Sequence, residues 1–112
     1  MKKCGVMMAT MAALCLTTGI AVAENNPPEN TPAGLFQQRC SGCHGEDGVG
    51  KTRAGKAFKA IDFHDPAVMK MSDAELTTII NNGKNRMPAF DHRLGPNDIQ
   101  NLVAYIRTLQ KK

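Results

Sequence analysis

Residues 37–48 read QQRCSGCHGEDG, so Cys40, Cys43 and His44 form a C-x-x-C-H unit. Nothing else in the 112-residue chain limits its fold so severely. Two thiols two residues apart with an imidazole behind them suit a disulfide, a metal clip, a dithiol redox pair or the attachment of a larger cofactor. The rest of the chain decides among these, mostly by what it lacks.

The first residues read as a secretory leader. Lys2 and Lys3 precede a largely apolar run from Val6 to Ile20, and Ala21-Val22-Ala23 is a small-x-small cleavage site. Thr10, Thr17, Thr18 and Gly19 interrupt the run, which is weak for a span of about 20 apolar residues. Leu14 precedes Cys15, which argues against a lipid-modified cysteine. The expected division is a signal peptide over 1–23, a flexible Pro-rich linker over 24–31 and one domain over 32–112, exported to a periplasm with no membrane span in the mature form. Cleavage removes Cys4 and Cys15 and leaves Cys40 and Cys43 alone. The methionines that remain are Met69, Met71 and Met87, and the histidines are His44, His64 and His92. Loss of Lys2 and Lys3 takes the 14 basic residues to 12, against 10 acidic. That balance is too mild for a nucleic-acid binder, and no basic helix with interleaved aromatics is present.

Helical signals follow. Thr31-Pro32 opens a short helix to Cys40, with Leu35, Phe36 and Cys40 near one face. Gly42, Gly45, Gly48 and Gly50 begin a long loop that runs on through Lys51 to Lys59. Pro66 disfavours helix at Asp65 and permits a turn after it. Ser72-Asp73-Ala74-Glu75 is a capping box ahead of the stripe Leu76, Ile79 and Ile80, and Gly83 ends that helix. Gly95-Pro96 opens the last helix, striped by Ile99, Leu102, Val103, Ile106 and Leu109. No period-two run predicts a sheet. The expectation is an all-α fold of three main helices and long loops.

Such a small chain with few aromatics is marginal unless something staples it. Zinc needs a second ligand pair, which is absent. A thioredoxin-like dithiol needs a βαβ context. A disulfide would leave His44 as coincidence and close too short a loop to help. The reading that uses all three residues is covalent haem: Cys40 and Cys43 as thioethers and His44 as an axial iron ligand.

With these residues the chain resembles the class I, single-haem c-type cytochromes over Ala33 to Leu109. CSGCHGEDGVG is similar to the family's haem-attachment stretch, NNGKNRMPAF to the loop carrying its second axial ligand, and LVAYIRTL to its C-terminal helix. The resemblance implies a cytochrome c-like fold wrapped around one covalently bound haem c, with Phe36 packed on Leu102 and Tyr105. It also implies Met87 as the sixth ligand. Met71 has a simpler use as a staple to Leu76, Met69 can pack beneath the same helix, and His64 and His92 sit among charged residues; His64, His92 and Met69 stay open as alternatives. With His44 and Met87 both bound, the iron has no vacant site, so electron transfer is expected and enzymatic turnover is not.

Two departures stand out. Relatives carry a Pro after the motif whose carbonyl receives the axial histidine's proton, and none occurs between Gly45 and Asp62. The small residue that lets the terminal helices approach is displaced, with Pro32 in its place and Gly34 two before Phe36.

The expected role is a periplasmic one-electron carrier cycling Fe(III)/Fe(II) between a dehydrogenase or quinol-oxidising complex and a terminal oxidase or reductase. The alternatives are a cytochrome subunit of an oxidoreductase complex, or a peroxidase or gas sensor if Met87 leaves the iron open. Redox protein partners are expected, with no nucleic acid, and the chain is expected to be a monomer. Lys51, Arg53, Lys56 and Lys59, with Lys84 and Arg86 beside Met87, make either a docking face for acidic partners or an ordinary solvated loop; Arg53 or Arg86 is a candidate for a haem propionate.

Overall fold

The computed structural model describes residues 5, 12–15, 18–21 and 25–112. The cleavage site at Ala23 and most of the leader fall outside the described residues. Among the described residues the fold has six helices: α1 (Pro32–Arg39), α2 (Ser41–His44), α3 (Arg53–Phe58), α4 (Pro66–Met69), α5 (Asp73–Asn82) and α6 (Pro96–Gln110). Among the described residues the nearest thing to a sheet is an isolated bridge between Lys84 and Met87.

The three main helices stand where their signals put them. Thr31 caps α1 by accepting from the Gly34 amide at 3.1 Å. Ser72 and Glu75 close a reciprocal box on α5 at 3.1 and 2.7 Å, each such cap contributing about 1 kcal/mol. Pro96 occupies the first turn of α6 behind Gly95. α4 is the turn permitted after Pro66, and the Asp65 carboxylate caps it through the Ala67 amide at 2.8 Å.

α3 corrects an expectation, because Lys51 to Lys59 does not run as loop throughout. The Thr52 hydroxyl caps the helix through the Gly55 amide at 2.9 Å. Lys59, left-handed at φ 55°, ends it. Gly55 is its one buried residue, so no apolar stripe announces the helix. The segment expected as a flexible linker also carries contacts. The Pro28 carbonyl accepts from the Thr31 amide (2.9 Å) and hydroxyl (2.7 Å), and Gln37 Nε2 donates to Asn26 Oδ1 at 3.0 Å. A Cβ at Gly34 would strike that same Pro28 carbonyl. Gly34 therefore makes room for the arm rather than for a helix crossing.

α1 packs on α6, and α5 packs on α6 from another side. Phe36, Ile99, Leu102 and Leu109 are fully buried at the centre, each contributing roughly 1.5–3 kcal/mol by leaving water. The Phe36 and Tyr105 rings meet at 5.2 Å and 51°, the crossing expected between terminal helices. Arg107 locks α6 to the start of α5, reaching Asp73 Oδ1 at 2.9 Å and the Met71 carbonyl. Met71 packs against the core just ahead of the cap, as a staple should.

Candidate haem site

Cys40 ends α1 and starts α2. Its carbonyl accepts from the amides of Cys43 (3.2 Å) and His44 (3.0 Å), so one helical turn brings both residues back over Cys40. Thr52 pins that turn, its hydroxyl facing the carbonyls of Gly42 at 2.7 Å and Cys43 at 3.0 Å. Gly55 lets α3 come this close, since a Cβ there would collide with the Cys43 and Gly50 carbonyls. The sulfurs of Cys40 and Cys43 are unpaired. Burial pushes the Cys40 thiol up to about 12. It is therefore a protonated thiol at neutral pH, unlike the acidic thiolates of dithiol oxidoreductases. Among the described residues no cluster of three or more Cys, His, Asp or Glu could hold a bare metal ion.

Burial drives the His44 imidazole toward its neutral form, the form that can donate a lone pair to iron; the Ile61 carbonyl pulls the other way. Nδ1 of His44 is buried without a partner at hydrogen-bond geometry. The Ile61 carbonyl acts on the imidazole without closing a hydrogen bond to Nδ1. The Phe63 ring stacks on the imidazole at 4.7 Å and 28°.

Met87 follows a two-residue turn, Asn85-Arg86, closed by reciprocal bonds between Lys84 and Met87 of 3.1 and 2.9 Å. Asn85 takes the positive φ of 54° that the turn needs, one of the few residues that tolerate it. The loop is bound to the end of α5 by the Phe90 amide on the Ile80 carbonyl (3.0 Å) and the Asp91 amide on the Asn81 carbonyl (3.3 Å). Arg86 reaches the Ala57 carbonyl of α3 at 3.4 Å. Since α3 also packs on α2, this ties the Met87 turn to the element that braces the C-x-x-C-H turn.

The alternative ligands have other occupations. Both ring nitrogens of His64 face acceptors, Asp62 Oδ1 at 2.8 Å and the Leu109 carbonyl at 3.0 Å. The His92 side chain is 86% exposed beside Asp91. Met69 is 45% exposed rather than packed beneath α5.

The family model for "Cytochrome C oxidase, cbb3-type, subunit III" matches residues 27–106. Cytochrome c6 of Nostoc sp. PCC 7120 is 34% identical over 74 residues, 66% of this chain and 64% of that protein. The cbb3-type oxidase subunit FixP of Azorhizobium caulinodans is 34% identical over 89 residues, 73% of this chain and 29% of that one. The chain belongs to the class I c-type cytochromes, in the cytochrome c6 and cbb3-subunit family. In the Nostoc relative and two further cytochromes c6 the match spans less than two thirds of the relative's length. The c-type cytochrome KustC0563 has the same fold, with a TM-score of 0.65, 32% identity, and coverage of 71% of this chain and 98% of that one.

For a class I c-type cytochrome the donor set fits haem c. Two thiols, that of Cys40 held protonated by burial, share one turn with an imidazole that burial drives toward neutrality, and the apolar side chains of Phe58, on α3, and Ile61 stand half-exposed. Sequence reading missed Thr52, Gly55 and Phe63 as supports of this turn. The T-x-x-G pattern was a usable capping signal for Thr52. Nothing local marks Phe63, because its partner lies 19 positions earlier, at His44.

Proposed function

We propose that this cytochrome is a periplasmic one-electron carrier in which Cys40 and Cys43 hold haem c as thioethers and His44 and Met87 are its axial ligands. The observation that carries this reading is the pairing of a half-buried His44, driven toward its neutral form in the C-x-x-C-H turn, with a Met87 turn tied back to it through Arg86 and α3. Cys40 and Cys43 would hold the haem by adding their S–H across its two vinyl groups, sulfur to one carbon and hydrogen to its neighbour. The bound haem supplies an Fe(III)/Fe(II) couple, with a potential raised by thioether ligation. The chain's own residues exclude water, hold both ligands through the cycle and leave no coordination position for a substrate, which makes the molecule a carrier and not an enzyme.

The donor in this reading is a dehydrogenase or a quinol-oxidising complex, and the acceptor is a terminal oxidase or reductase. Lys51, Arg53, Lys56 and Lys59 on and around α3 lie on the element that Arg86 contacts, which supports one basic docking face for acidic redox partners. A second reading, a cytochrome subunit of an oxidoreductase complex, is favoured by the match to the cbb3-type subunit model. Stable co-purification with a larger partner separates the two.

The test is the visible spectrum of protein matured with the haem-attachment machinery, with and without carbon monoxide. A c-type reduced spectrum, a far-red methionine–iron band when oxidised and indifference to carbon monoxide are expected. Ready carbon monoxide binding would reinstate the sensor or peroxidase reading. Absence of covalent haem would overturn the proposal.

A further inference from the structure

Residues 61–64 touch His44 on one side and the end of α6 on the other. The Phe63 ring lies on the His44 imidazole, and its amide donates to the Gly48 carbonyl at 2.9 Å. From the opposite direction Gln110 Nε2 donates to the Phe63 carbonyl at 3.0 Å. His64 completes the strap, with Nδ1 on Asp62 Oδ1 at 2.8 Å and Nε2 on the Leu109 carbonyl at 3.0 Å. A carboxylate and a carbonyl offer no proton. A neutral imidazole has one N–H and satisfies one of them, whereas an imidazolium satisfies both. The Leu109 carbonyl also belongs to the last turn of α6, the negative end of its dipole.

We propose that His64 is a positioning residue whose imidazolium straps Phe63 against His44, so that loss of its Nε2 proton loosens the strap and lowers the reduction potential. This rests on the haem reading above. The Asp62 carboxylate is the stronger acceptor and keeps the Nδ1 proton. Deprotonation therefore falls on Nε2 and sets its lone pair against the Leu109 carbonyl. The bond to α6 is the one that is lost.

The charged surroundings support this order. The hydrogen bond to Asp62 is the main cause raising the His64 pKa, with the Leu109 carbonyl and the charge of Asp47 adding to it; partial burial opposes them. The His64 amide and ring hold the Asp62 carboxyl below its usual range, with the charge of Lys51 adding a smaller part. Asp65, next in the chain, is committed to capping α4, and on α6 Arg107 is committed to Asp73. Lys111 and Lys112 follow Leu109 and are the positive charges on that side. The His64 side chain is 34% exposed, so solvent protons reach it. A cation on the strap that holds His44 would favour the reduced state of a bound haem. By linkage, reduction by one electron from a redox partner draws a proton from solvent onto Nε2, and oxidation releases it.

The experiment compares haem-loaded wild type with His64→Gln and Asp62→Asn. Proton–nitrogen NMR of the His64 ring reads its titration and tautomer, and spectroelectrochemistry reads the potential against pH. The wild-type potential is expected to step down as pH rises through the His64 titration. His64→Gln, which keeps a donor for Leu109, should be flat across that range. Asp62→Asn should move the titration and the step together to lower pH, by about one unit or more; it decides the matter if His64→Gln does not fold. A step that survives in His64→Gln, or a flat wild-type profile with normal c-type bands, would overturn the role of His64 alone. Missing c-type bands in all three proteins would instead remove the haem reading, and this proposal with it.

Discussion

Gly83 has φ 71° and ψ 171°, a backbone setting open to glycine and strained for any residue with a Cβ. A Cβ there would lie 2.5 Å from the Met87 carbonyl oxygen and 2.9 Å from the Ala89 nitrogen. Gly83→Ala is therefore expected to cost about 1–3 kcal/mol, read as a lower urea midpoint. In the loaded protein it should also weaken the far-red methionine–iron band, because the strain falls on the Met87 turn. A normal midpoint with an intact band would contradict this. At this scale the sequence was informative wherever chemistry is written in residue type. Cys40, Cys43 and His44 could be singled out because two thiols and an imidazole at that spacing are specific donors, whereas Met87 was reached through the family resemblance and not through thioether chemistry, which Met69 and Met71 share. Thr52 and Gly55 could not, because their importance lies in how closely α3 approaches the Cys43 carbonyl. No property of threonine or glycine alone records that approach.

Among the elements, the crossing of α1 and α6 carries the most. Phe36 is 1% exposed and meets Tyr105 at 5.2 Å and Phe63 at 6.1 Å. Phe36→Ala should cost about 3–5 kcal/mol, measured as a shift in chemical denaturation at unchanged slope. A loss under about 1 kcal/mol would show that the crossing does not hold the fold. α5 and α6 were legible from their stripes and caps because each buries one face. α3 was not, since it is held by a cap and a glycine contact and shows no face to the core. The contacts of the arm at residues 26–28 were not legible for the related reason that they are hydrogen bonds to the Pro28 carbonyl and to the Asn26 side chain, which any polar sequence can make.

For the whole molecule, pH should act through residues 62 and 64. The His64 pKa is raised above 6.5, so its contribution is complete below 6.5 and is lost as pH rises through the raised value. The Asp62 pKa is lowered from 3.8, so its contribution is present above 3.8 and is lost as pH falls through the lowered value. In the loaded protein, where His44 is committed as a ligand, the urea midpoint should be highest between these limits and decline on the alkaline side. Removing the haem frees His44, whose lowered pKa makes folding less favourable as pH falls below 6.5. The haem-free chain should therefore lose stability on the acid side first. Matching pH profiles for the two forms would refute this.

The pairing of Phe36 with Tyr105 also has a bearing on how the molecule is made. The first helix of the fold finds its main partner in the last one, so the core cannot close while α6 is still to be synthesised. On the haem reading proposed above, Cys40 and Cys43 would be open to cofactor attachment before that closure. The order of the chain would then act as a timer for cofactor loading.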